Sequence, residues 1–218
     1  MRNSSNYLQF TTEQSLKKVK VSGNVMSLLA PEFGKMKSVG SYCFYYLFYN
    51  CENISDCSSM TLPATTLANS CYNSMFYGCT SLTQAPALPA TTLADNCYNY
   101  MFYSCTSLTQ APALSATTLA DSCYYNMFQN CTSLTKAPAL PATALANSCY
   151  NSMFYGCTSL TQAPALPATA LANNCYSSMF YGCTSLTQAP AIKTYTPELF
   201  AFYSTLGMFD YSTNAWSG

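Results

Sequence analysis

Hydrophobic and polar positions follow a pattern that repeats every 26 residues along most of the chain. Each unit opens with Leu-Pro-Ala-Thr or the close variant Leu-Ser-Ala-Thr, and successive units begin at Leu62, Leu88, Leu114, Leu140 and Leu166. A fixed period of this size is typical of a solenoid, because one unit cannot bury its apolar side chains without neighbouring units. The pattern therefore predicts a stack of coils.

The middle of each unit has helical spacing. Cys71, Met75 and Cys79 lie four residues apart, as on one face of a helix. An Asn or Asp precedes the segment in every full unit and suits a helix N-cap. A Gly, Ser or Asn at the position of Gly78 suits a left-handed C-terminal cap. We therefore predict a helix of about two turns over 69–79, partly 3₁₀.

A short strand is predicted directly after this helix. Leu82 and Ala85 are expected to point inward, whereas Thr83 and Gln84 are expected to point to solvent. Pro86 and its equivalents end the strand, because proline donates no ladder hydrogen bond. The unit is thus predicted to be a short strand plus a short helix, an α/β repeat.

The repeats divide the chain into three parts. The solenoid is predicted over 38–192, with a degenerate first coil at 38–61 and five full repeats at 62–191. The preceding residues 1–37 hold six of the eight basic residues and an alternating Lys-Val segment typical of a half-exposed strand. We expect an N-terminal cap there. The aromatic-rich residues 193–218 are predicted to be a C-terminal cap or tail.

Cysteine occupies two fixed positions in every full repeat. The two ladders are Cys71, Cys97, Cys123, Cys149 and Cys175, and Cys79, Cys105, Cys131, Cys157 and Cys183. Two cysteines of one unit would be roughly 12 Å apart on a helix, whereas a disulfide needs Cα atoms within about 7 Å. Equivalent cysteines of adjacent coils would have parallel Cβ vectors, and the spacing is not that of a zinc ribbon. We predict structural ladders of buried thiols, with disulfides and a metal array as the alternatives.

Charge is scarce and evenly balanced. Only 7% of the residues are charged, with eight basic and eight acidic side chains and no histidine. This composition argues against nucleic-acid binding, a Ser-His-Asp triad and a His-ligated metal. Apolar runs are too short to span a membrane. We therefore expect a protein that is not an enzyme, with no cofactor and no metal.

Two neutral polar columns are predicted on the strand face. They are Thr83, Thr109, Thr135, Thr161 and Thr187, and Gln84, Gln110, Lys136, Gln162 and Gln188. Hydrogen-bonding columns of this kind suit a protein or glycan partner. Duplication of one unit also produces columns, whether or not they bind anything.

The segment Met75-Phe76-Tyr77-Gly78-Cys79-Thr80-Ser81-Leu82-Thr83 resembles the core pattern A-F-x-x-C-x-x-L of BspA-like, or Treponema-type, leucine-rich-repeat surface proteins. The resemblance extends over about residues 41–192. It implies a right-handed leucine-rich-repeat-like solenoid of about six coils. It also implies an adhesion module that contacts a protein or glycan of a host or neighbouring cell. The alternatives are a structural spacer without a dedicated ligand and an intracellular protein-interaction scaffold.

The expected location depends on this resemblance. The resemblance implies an exported protein, so we expect a location at the cell surface or secretion from the cell. The segment Met1-Arg2-Asn3-Ser4-Ser5-Asn6 does not lead into the apolar stretch of a signal peptide. A cytoplasmic location is therefore the alternative.

Overall fold

The fold is a stack of similar coils, each contacting its neighbours along one axis. The computed structural model describes residues 10, 17–29, 38–188 and 190–191. The predicted C-terminal cap over 193–218 lies outside the described residues, and the predicted N-terminal cap is described only in part.

Adjacent coils pair in parallel, with a register that follows the repeat period. Parallel bridges join Gln110 to Lys136 and Lys136 to Gln162, so each step advances by one 26-residue unit. Asp56 of the first coil pairs with Gln84, two residues beyond that period, because the first coil is longer. This register confirms the predicted repeat solenoid. The strand predicted after each helix is wrong for the described full repeats, where this segment forms only single bridges such as these.

Extended strands in the described residues lie near the N-terminal end. They are β1 (Val19–Lys20), β2 (Gly23–Asn24), β3 (Ile54–Asp56) and β4 (Met60–Thr61). β1 pairs in parallel with β3, and β2 pairs in parallel with β4. A 3₁₀-helix over Val25–Leu28 follows β2. The strand predicted from the alternating Lys-Val segment is present as β1, and it extends the parallel pairing beyond the first coil.

The prediction of a helix over 69–79 is wrong, because consecutive turns occupy this segment. The N–H groups of Cys71 and Met75 donate to carbonyl groups three residues earlier, at 3.1 and 3.3 Å. Those of Ser74 and Phe76 donate to carbonyl groups of the next coil, at 2.8 and 2.9 Å. An α-helix uses its N–H groups for internal bonds four residues back. Hydrogen bonding between coils therefore replaces the helix.

Left-handed residues make this bonding possible. Ser70, Tyr72, Ser74 and Gly78 have φ of 58°, 57°, 53° and 69°, so left-handed residues recur through the segment. At the position of Gly78, Ser104 and Asn130 also have positive φ, 55° and 59°. The left-handed conformation predicted there is thus confirmed, although it closes a series of turns. It costs most residues about 1–2 kcal/mol, so Gly and Asn suit it best.

The core consists of side-chain columns that run from coil to coil. One column contains Phe48, Phe76, Phe102, Phe128, Phe154 and Phe180, with neighbouring ring centroids 5.4 to 5.8 Å apart. A second contains Tyr72, Tyr98, Tyr124, Tyr150 and Tyr176, with spacings of 5.7 to 6.0 Å. Both columns are buried together with the Met and Leu side chains of each repeat. The core is therefore continuous along the stack.

Replacing Gly156 by valine tests the left-handed backbone. Gly156 has φ 70°, and an added Cβ would overlap Oδ1 of Asn130 in the preceding coil. We expect Gly156→Val to lower the free energy of unfolding by about 2–4 kcal/mol, because a β-branched residue is strained at positive φ and Asn130 must move. Urea denaturation measures the loss.

Gly182→Asn is the matched control for this substitution. Asn130 already adopts φ 59° at the equivalent position, so asparagine is compatible with the backbone there. A Cβ at residue 182 would meet Gly156 backbone atoms at 3.5 and 3.6 Å, which is ordinary contact. We expect Gly182→Asn to lower the free energy of unfolding by less than about 1 kcal/mol. Equal losses for the two variants would contradict the described backbone.

Candidate binding surfaces and the cysteine ladders

The predicted Gln column lies on the solvent side of the stack. Its members Gln84, Gln110, Lys136, Gln162 and Gln188 are all exposed. The bridges from Gln110 to Lys136 and from Lys136 to Gln162 hold these residues one coil apart. The column presents amide donors and acceptors around one ammonium group.

A cavity lies beside the Gln column. Its volume is about 330 Å³, and its lining includes Lys136, Gln162, Pro138, Pro164 and Leu140. The prolines and leucine supply an apolar floor, whereas Lys136 and Gln162 supply polar groups at the edge. Apolar concavities with a few polar groups are the usual form of a ligand site.

The predicted Thr column is less available to a partner. The hydroxyl Oγ1 of Thr83 donates to the carbonyl oxygen of Ser55 at 2.9 Å. Thr135 and Thr161 donate in the same way to the preceding coil, at 3.4 and 3.2 Å. Because a hydroxyl has one proton, these groups can offer a ligand acceptors but no donor. The Gln column is therefore the more versatile of the two.

The second cysteine ladder is buried and hydrogen-bonded to the backbone. The thiols of Cys79, Cys105, Cys131, Cys157 and Cys183 donate to the carbonyl oxygens of Phe48, Phe76, Phe102, Phe128 and Phe154 at 3.0 to 3.2 Å. Cysteine suits this position because it is a small apolar side chain with a weak donor. Burial raises the pKa of Cys183 to about 12.

The first cysteine ladder is equally inaccessible. Burial raises the pKa of Cys97 and Cys149 to about 12, so both thiols remain protonated at neutral pH. Cys43 occupies the equivalent position in the degenerate first coil and is half-buried. Its hydrogen bond with Cys71, together with burial, raises the pKa of Cys43, whereas the same bond lowers the pKa of Cys71. The described residues contain no disulfide and no converging group of three metal-ligating side chains. A structural role for the ladders accounts for these features.

A tyrosine network covers the turn segments of the first four coils. Successive ring centroids lie 4.0 to 6.4 Å apart along the members Tyr42, Tyr45, Tyr46, Tyr49, Tyr77, Tyr100, Tyr103 and Tyr125. Gln129 takes the place of a tyrosine after Tyr103, and Tyr155 and Tyr181 form a separate stacked pair. Partial burial and neighbouring phenols raise the pKa of Tyr77 and Tyr100. The predicted helix does not account for this network, because a helix would keep adjacent tyrosines such as Tyr45 and Tyr46 apart.

The parallel stack, the 26-residue register and the buried Phe, Cys and Leu columns define a leucine-rich-repeat type of solenoid. The family description "BspA type Leucine rich repeat region (6 copies)" matches residues 27–137 and 98–214. The chain therefore belongs to the BspA-type leucine-rich-repeat family, as the sequence resemblance predicted. No curated protein and no solved structure is significantly similar to it. Within the described residues, no helix has the length and apolar composition that crossing a bilayer requires.

Proposed function

We propose that this chain is a non-catalytic binding module of a bacterial cell-surface or secreted protein. It contacts a host protein or glycan through the Gln column. Membership of a repeat family whose coils suit protein interaction supports a binding role. The observation that carries the proposal is the exposed Gln column beside an apolar cavity of about 330 Å³.

The chemistry of the column favours a neutral partner. Amide side chains donate and accept hydrogen bonds, and the parallel register repeats them from coil to coil. Lys136 adds one positive charge near the middle and can orient a partner. Burial raises the pKa of the Cys97 and Cys149 thiols and keeps them protonated, and the sequence has no histidine to activate a nucleophile, which favours binding over catalysis.

A spacer without a dedicated ligand is the alternative that the threonine geometry favours. Thr83, Thr135 and Thr161 use their hydroxyl protons to join adjacent coils, so this column has a structural role of its own. Under this alternative the Gln column is a by-product of repeat duplication. An intracellular protein-interaction scaffold would use the same columns with a different partner.

The quadruple variant Gln84→Ala, Gln110→Ala, Gln162→Ala and Gln188→Ala tests the proposal. These side chains are exposed, so the fold should be retained. We expect binding to immobilised extracellular-matrix proteins or to a printed glycan array to weaken about tenfold or more.

A second quadruple variant provides the control. Thr91, Thr117, Thr143 and Thr169 are also exposed, and none of them belongs to the Gln column or lines the cavity. Their replacement by alanine should leave binding unchanged. Unchanged binding in the glutamine variant would contradict the proposal and favour the spacer.

A further inference from the structure

The tyrosine network departs from the repeat pattern at Tyr100. In the first full repeat, the hydroxyl of Ser74 donates to Oδ1 of Asn73 at 2.8 Å. Ser152 makes the same bond to Asn151 in the fourth, also at 2.8 Å. In the second repeat, Tyr100 occupies the serine position, so this donor is missing.

The third repeat departs at the same place. Tyr125 takes the position of Asn73, and Asn126 takes the position of Ser74. The rings of Tyr100 and Tyr125 lie 5.5 Å apart in an edge-on arrangement. The two irregular repeats are therefore neighbours and share one cluster.

This cluster is costly for the fold. Tyr100 has φ 54°, a conformation that is unfavourable for a bulky residue. Asn99 and Asn126 are 8% and 7% exposed, and Oδ1 of each has no hydrogen-bond partner. Such buried acceptors destabilise a protein unless something satisfies them. Strained residues together with unsatisfied groups are typical of ligand sites.

We propose that Tyr77, Tyr100, Tyr103 and Tyr125 form a binding site for a neutral glycan. The C–H face of a sugar ring packs on the tyrosine rings. Sugar hydroxyls donate to Oδ1 of Asn99 and Asn126 once the cluster opens enough to expose these buried atoms. The site rests on the proposed binding role but uses a different surface from the Gln column.

The lack of charge favours a glycan over a protein as the occupant. Between residues 57 and 192, the sequence contains only the charges of Asp95, Asp121 and Lys136. About 25% of the residues in a typical soluble protein are charged, and interfaces between proteins usually match charges of opposite sign. The cluster offers phenol hydroxyls and two amide acceptors, which match the hydroxyl groups of an uncharged sugar.

Titration calorimetry with cellohexaose, mannohexaose and maltohexaose tests this site. We expect at least one of these probes to bind the full chain. Tyr100→Ser should weaken that binding about tenfold. The variant reproduces Ser74 and Ser152 and supplies the donor that Asn99 lacks, so the coil should stay folded. Tyr181→Ser, outside the network, should leave the affinity unchanged.

Three results would overturn the glycan site. They are no binding of any of the three hexasaccharides, equal affinity of wild type and Tyr100→Ser, and binding of a Pro-Ala decapeptide instead of the sugars. Binding of the decapeptide would mean that the cluster is a peptide-binding site. The quadruple glutamine variant should bind the hexasaccharide normally. Failure of this site and failure of the Gln column are therefore distinguishable.

Discussion

Raising the pH from about 8 to about 10.5 is expected to unfold this chain. Burial raises the pKa of Cys97, Cys149 and Cys183 from 9.0 to about 12. The folded chain therefore retains these protons up to about pH 12, whereas the unfolded chain releases them near pH 9. Above pH 9 the folded state binds more protons than the unfolded state. The free energy of unfolding therefore keeps its full value below about pH 9 and falls as the pH rises from about 9 to about 12.

The size of this effect follows from the number of buried thiols. Each buried thiol lowers the free energy of unfolding by about 1.4 kcal/mol for every pH unit within that window. Cys79, Cys105, Cys123, Cys131 and Cys157 are also buried, and burial raises the pKa of each. Together these losses exceed the 5–15 kcal/mol by which a domain is typically stable.

A pH titration followed by circular dichroism, with a reductant present, measures this transition. Between about pH 5 and pH 8 the signal should stay constant, because the chain has no histidine to titrate there. Return to neutral pH should restore the folded signal. A chain that stays folded at pH 11 would contradict the burial of the two ladders.

Truncating one ring of the phenylalanine column should have the next largest effect. Phe128 is fully buried, between Phe102 at 5.6 Å and Phe154 at 5.8 Å. We expect Phe128→Ala to lower the free energy of unfolding by about 3–5 kcal/mol, because it leaves a cavity and removes both ring contacts. Its central position also weakens the coupling between the two halves of the stack. Urea denaturation measures the change.

Tyr181→Ala is the control for the phenylalanine variant. Tyr181 also stacks on a neighbouring ring, but it is 42% exposed and lies near the end of the described coils. We expect Tyr181→Ala to lower the free energy of unfolding by less than about 1.5 kcal/mol. Similar losses for both variants would mean that the phenylalanine column is not the main core.

The repeat, its register and the core columns could be predicted from sequence for a simple physical reason. Identical side chains at a fixed offset stack when coils pair in parallel, so the period from Leu62 onward determines both register and columns. The same logic predicted the Gln column, whose members are exposed. These features depend on the period and not on the conformation within one coil.

The conformation within one coil could not be predicted in the same way. The spacing of Cys71, Met75 and Cys79 fits a helical face, but it also fits turns with left-handed residues at Ser70 and Ser74. That spacing and the capping residues Asn69 and Gly78 indicate a helix only as long as the unit is considered without its neighbours. In the solenoid, a neighbouring coil supplies equally good carbonyl partners.

The tyrosine network could not be predicted because it depends on the difference between a helix and consecutive turns. A helix would separate Tyr45 and Tyr46 by about 100° around its axis. In the turn segment their ring centroids are 4.0 Å apart. The signal available in the sequence was the irregularity at Tyr100 and Tyr125, where two repeats differ from the others at neighbouring positions.

Protease shaving of intact source cells tests most directly whether this chain is a surface-binding module. Lys136 is the only basic residue over 57–191, so trypsin has a single cleavage site there and proteinase K is the better enzyme. We expect mass spectrometry to detect peptides from 62–191 among those released from unbroken cells. Detection of these peptides only after cell lysis would contradict the surface role and favour an intracellular scaffold.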